Sequence, residues 1–94
     1  MKLGTLLESL EYTIVQGSTD TEVKGVEYDS RKVQEGSLFL CIRGAVADGH
    51  TFVPDVVNKG AAVLVVEEEV TVPEGITVVQ VEDTRYAMAC ISAA

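Results

Sequence analysis

SLFLCIRGAVADGHTFVPDVVNKGAAVLVV, residues 37–66, decides the fold. Ser37 to Ile42 is a continuous apolar run of the kind that forms a strand buried on both faces. Phe52, Val53, Val56 and Val57 then recur at helical spacing. His50 or Thr51 can cap that helix, Pro54 is tolerated in its first turn, and Gly60 stands where a C′ glycine belongs. Ala61 to Val66 is a second fully apolar strand. Strand, helix and strand joined by short glycine-punctuated links make a βαβ unit, whose two strands are expected to run parallel.

Outward from this unit, Leu3, Leu6, Leu7 and Leu10 form one stripe of a short first helix. Tyr12 to Gln16 is β-rich and ends in a turn cluster at Gly17, Ser18 and Asp20. Val23, Val26 and Tyr28 lie in a further extended segment that stops at Asp29-Ser30. Glu67 to Glu69 reads as a solvated charge run, and Val70 to Gly75 as a polar connection. Ile76 to Val81 is a third buried strand, and Asp83 is expected to cap a helix from Thr84 onward. The fold class is therefore α/β: a small mixed sheet of four to five strands with packed helices, one domain over 1–94. The last helix meets no C-cap glycine and no proline stop, which suggests an N-terminal domain cut from a longer chain.

Apolar residues make up 47% of the chain and charged residues 23%, the balance of a globular protein. The longest apolar run is far short of the ~20 residues a membrane span needs. Glu8 and Glu11 break any signal-peptide core, so a soluble cytoplasmic protein without a membrane partner is expected. The net charge of −8 argues against nucleic acid as a partner. Its distribution is uneven. From Tyr28 to His50, Arg31, Lys32 and Arg43 balance Asp29, Glu35 and Asp48, so the whole net charge lies elsewhere. An acidic domain that binds an anion does so where its own field is relieved.

Two segments in that neutral stretch could meet such a ligand. Tyr28-Asp29-Ser30-Arg31 falls where a strand gives way to a loop, and α/β sheets bind ligands outside the carboxyl ends of strands. Ser30 offers a hydroxyl and a backbone N–H, and Arg31 a planar fork suited to phosphate. Asp29 and Ser30 are also ordinary turn formers, and Arg31 can simply neutralise Asp29. Gly44 to His50 links strand to helix, with small residues that let a ligand approach the backbone and a helix N-terminus that favours an anion. It also reads as a tight connection in which Asp48 and His50 serve as turn and cap.

No catalytic or metal-binding set appears. G-x-x-x-x-G-K-[ST], G-x-S-x-G and GxGxxG are all missing. Cys41, Cys90 and one histidine do not make a zinc site, and both thiols are expected free. On these grounds alone, a ligand-anchoring domain and a non-catalytic acidic interaction module both remain open.

Asp29-Ser30-Arg31, Gly36-Ser37-Leu38-Phe39, Gly44 with Asp48-Gly49-His50-Thr51-Phe52, and Gly60-Ala61 before an apolar strand together resemble the N-terminal domain of the Mur ligases. Val81-Glu82-Asp83-Thr84-Arg85 with its alanine-rich helix fits the same pattern. The likeness is strongest to the branch that adds a diamino acid. The sister branch, which adds the D-Ala-D-Ala dipeptide, shares much of it. The resemblance implies a parent enzyme that is an ATP-dependent amide ligase of peptidoglycan synthesis, acting on UDP-MurNAc-L-Ala-D-Glu. It implies that ATP and Mg2+ are held by a central domain and the amino acid by a C-terminal domain, partners outside this chain, which itself carries neither cofactor nor catalytic residue. It implies that this domain holds the UDP end. Ser30 matches the substrate-contacting serine, and Tyr28 falls at a neighbouring uridine contact. Ala45, Val46 and Ala47 occupy the loop that closes on the nucleotide and offer only backbone contacts. Arg31 is a further candidate, and His50 a structural or functional one.

Overall fold

The computed structural model describes residues 1–42 and 48–93. Its centre is a five-stranded sheet in the order β1-β5-β4-β3-β2. The strands are β1 (Thr13–Gln16), β2 (Gly25–Glu27), β3 (Ser37–Leu40), β4 (Val63–Val66) and β5 (Thr77–Gln80). β2, β3, β4 and β5 run parallel, and β1 joins β5 antiparallel, so the sheet is mixed. The expected βαβ unit is β3, helix α2 (Val53–Asn58) and β4, with Leu38, Phe39 and Leu40 opposite Val63, Leu64 and Val65.

Every position of β3 and β4 is buried, because helices cover both faces. Leu38, Leu40, Val63, Val65 and Val79 face helices α1 (Leu3–Leu6) and α3 (Thr84–Ala93), packing with Leu3, Leu6, Ala87 and Ile91. Phe39, Cys41, Leu64, Val66 and Val78 face α2, packing with Val53 and Val56. The alternation is the pleat made visible: neighbours along each strand feed opposite layers. The strands are shorter than the apolar runs, yet their hydrogen bonding runs on. Cys41 N donates to Val65 O at 2.9 Å, and Val81 N to Val66 O at 2.8 Å.

Three expectations change here. α1 stops at Leu6, not at Leu10. Its first free N–H groups are taken by the chain itself, Leu3 N by Thr21 O and Gly4 N by Thr19 O, and Leu10 packs on the core from a turn. The entry to α2 is a separate 3-10 turn, Gly49–Phe52, so neither His50 nor Thr51 caps the helix. Asp48 caps the turn instead, its carboxylate accepting from His50 N at 2.9 Å. Phe52 leaves the apolar stripe and is 39% exposed.

Two glycines are required by geometry. Gly60 closes α2 at φ +94°, and a Cβ there would stand 3.0 Å from Glu35 Cα. Gly49 lies against the end of β3, where a Cβ would sit 2.7 Å from Ile42 N. Its small size serves the contact with the chain's own strand rather than a ligand, and Gly49 N donates to Ile42 O at 2.8 Å.

Candidate functional site

Beyond the carboxyl end of β2, Tyr28 and Asp29 lead into a 3-10 turn, Ser30–Lys32. Asp29 holds the turn with both oxygens. Its Oδ1 accepts from Arg31 N and Nε at 3.0 Å, and its Oδ2 accepts from Arg31 Nη2 at 2.9 Å. This forked contact pulls the Asp29 carboxyl down to about 2 and raises the Arg31 guanidinium. The Arg31 side chain is 86% exposed, so its fork is committed to Asp29 while its outer edge faces water. Ser30 is half-buried and fixed from behind: Lys59 Nζ, at the end of α2, donates to Ser30 O at 2.7 Å and pairs with Asp55 at 3.1 Å.

Tyr28, Asp29, Ser30, Arg31 and Phe52 line one open depression of about 420 Å3. Tyr28 is 67% exposed. The structure thus brings three of the sequence candidates, Tyr28, Ser30 and Arg31, to one surface. Ala45, Val46 and Ala47 lie outside the described residues. The turn that follows them, Gly49–Phe52, reaches the same depression through Phe52, which sequence reasoning had assigned to the core.

His50 works beneath this surface. Its side chain is only 4% exposed. Nε2 accepts from Glu67 N at 3.0 Å, so the ring proton sits on Nδ1 and is donated to Asp48 Oδ1 at 2.6 Å. The ring therefore ties the turn after β3 to the end of β4. Asp48, His50 and Glu68 bring ligand-type atoms within 4.8 Å of one another, but both ring nitrogens are already used in these hydrogen bonds. The N–H groups of His50 and Thr51 are likewise spent on Asp48, and α2, six residues long, opens behind that turn.

Glu67 also departs from its expected role in a solvated run. It is half-buried, and its Oε2 accepts from Thr84 N at 2.8 Å and Thr84 Oγ1 at 2.7 Å. Asp83 Oδ1 accepts from Arg85 N and Tyr86 N, the cap that was expected. A second depression of about 400 Å3 lies at this end of the sheet, lined by Glu11, Tyr12, Glu67, Gln80 and Glu82 among others. Three carboxylates there oppose an anionic ligand, whereas the depression at Ser30 carries one matched acid and base. No helix among the described residues is long and apolar enough to cross a membrane.

Residues 22–94 match the family described as "Mur ligase family, catalytic domain". The chain belongs to the Mur ligase family. It is 42% identical over 92 residues to the UDP-N-acetylmuramoyl-L-alanyl-D-glutamate–2,6-diaminopimelate ligase of Clostridium perfringens, covering 98% of this chain and 19% of that protein. The ligase of the same description from Clostridioides difficile is 42% identical over the same coverage. Among solved structures, MurF from Acinetobacter baumannii superposes with a TM-score of 0.84 at 31% identity, covering 98% of this chain and 20% of that one. The chain thus spans about a fifth of the length of the curated relatives it matches.

Proposed function

We propose that this chain is the nucleotide-anchoring domain of a peptidoglycan amide ligase that extends UDP-MurNAc-L-Ala-D-Glu by a diamino acid. The observation that carries the reading is the convergence of Tyr28, Ser30, Arg31 and Phe52 on one neutral depression at the carboxyl end of β2. Family membership and relatives named for a UDP-linked substrate support it. In this reading Ser30 and the backbone of Ala45 to Ala47 hold the ribose and diphosphate, and Tyr28 borders the base. ATP and Mg2+ act in other domains of the parent enzyme, which couple the anchored carboxylate to the incoming amine. The relatives named as diaminopimelate ligases favour that amino acid. The likeness to MurF supports a second reading, the D-Ala-D-Ala-adding branch, which an acceptor assay on the full enzyme separates from the first.

Charge-assisted hydrogen bonds contribute ~1.5–3 kcal/mol each, and after ordering costs the chain alone should hold UDP at about millimolar affinity. Titrating UDP into the 94-residue chain should move the amide signals of Tyr28 to Lys32 and Gly49 to Phe52. Shifts confined to the Glu11–Glu82 end, or none at high millimolar UDP, reject the reading.

A further inference from the structure

Phe52 is the least expected member of the depression. It stands at the junction of the 3-10 turn and α2, where its neighbour Val53 is buried in the core. Yet 39% of Phe52 remains exposed, and it shares its hollow with Tyr28, itself 67% exposed. Two large aromatic side chains that line one hollow expose apolar faces left uncovered among the described residues. The hollow, about 420 Å3, lies within the size range of small-molecule sites. Its floor is the Ser30 turn, locked by Asp29–Arg31 on one side and by Lys59 on the other. Phe52 is locked too: Asp48 caps its turn, and the buried His50 ring two residues earlier pins that turn to β4. A rigid aromatic face beside a polar corner is the arrangement that binds a flat, partly apolar group with a charged tail.

We propose that Phe52 is the base-stacking residue of this site, its ring covering one face of the pyrimidine of a nucleoside diphosphate whose ribose and phosphates lie toward Ser30. The inference rests on the nucleotide-anchoring reading and adds to its Tyr28 contact a stacking surface that favours the base over a bare diphosphate. Stacking on an aromatic ring is lost when the ring is replaced by an aliphatic side chain of similar bulk, and retained by tyrosine. Phe52→Leu should therefore weaken UDP about tenfold, while Phe52→Tyr stays near the parent.

The test uses the 94-residue chain with UDP and with inorganic pyrophosphate, followed by NMR. With the parent, the uracil H5 and H6 signals should move upfield on binding and show cross-relaxation with the Phe52 ring. With Phe52→Leu, the upfield shift should largely vanish and the UDP affinity fall about tenfold, with pyrophosphate affinity unchanged. A Phe52→Leu variant with the parent's amide spectrum, the parent's UDP affinity and an undiminished uracil shift overturns the proposal. So does bound UDP without Phe52–uracil cross-relaxation in the parent, a measurement that needs no variant. In both of those cases amide shifts at Tyr28 to Lys32 leave the anchoring reading standing. UDP that moves no amide there at all overturns both.

Discussion

Replacing His50 by alanine removes a ring that is 4% exposed and joins the turn after β3 to the end of β4. Its Nδ1–H bonds the Asp48 carboxylate at 2.6 Å, and hydrogen bonds to a charged partner contribute ~1.5–3 kcal/mol. Asp48 is itself 36% exposed, which sets this contribution at the lower end. Without the ring, Glu67 N–H loses its acceptor in a part-buried position, a cost of ~1–3 kcal/mol, again nearer the lower bound because the vacated space admits water. The combined loss is about 3 kcal/mol, a large share of the stability of a domain this size. Thermal unfolding should fall by on the order of 15 °C, and the urea midpoint should drop without a change in slope. A double-mutant cycle with Asp48→Ala isolates the ring contact, since the backbone N–H of residue 50 keeps its own bond to Asp48 in the single His50 variant. A His50→Ala protein within 0.5 kcal/mol of the parent, or a cycle with no coupling, would refute the clamp.

Two further outcomes follow from the same geometry. Burial, helped by Asp48 and Glu68, pushes the Cys41 thiol up to about 12, so it should resist a thiol reagent at pH 8 while the half-buried Cys90 reacts; equal rates in the native protein contradict the packing. The Asp29 carboxyl, held to about 2 by Arg31 against 3.8 when free, should titrate by carbon NMR near the lower value. Because the folded value is the lower one, the pair's contribution is complete above about pH 4 and lost as pH falls through about 2; a midpoint near 4 would show the fork does not persist in solution.

The βαβ centre was legible because its signal is dense. Four consecutive buried positions in β3 and again in β4 leave no polar side to a strand, and Gly60 marks the end of α2 unambiguously. The Asp83 cap was legible for the same local reason. What escaped was decided by a local turn in one case and by residues distant in sequence in the others. Phe52 fits a helical stripe, but the 3-10 turn that Asp48 imposes rotates it out of the core and toward Tyr28. Glu67 sits in a run of three glutamates, and only the closeness of β4 to the start of α3 makes it a cap. His50 offered no signal beyond its type, since its acceptor role depends on Glu67, 17 residues away.

The two cations of the described site constrain how it grips. Arg31 is forked to Asp29, and Lys59 is divided between Asp55 and the Ser30 carbonyl. Each is therefore used to shape the corner before any ligand arrives. A diphosphate that reached for Arg31 would compete with a carboxylate already in ideal contact, so the net gain from that charge is small, and smaller still at physiological salt. On the proposed reading, the affinity that the described residues supply at this end would then come from neutral donors and from surface that the ligand can cover. The surface available is aromatic, at Tyr28 and Phe52. On the proposed reading, a site so built would discriminate by the flat group next to the phosphates rather than by the phosphates themselves. It also binds weakly enough alone that the remaining domains of a ligase, closing on the other end of the same substrate, would supply most of the hold.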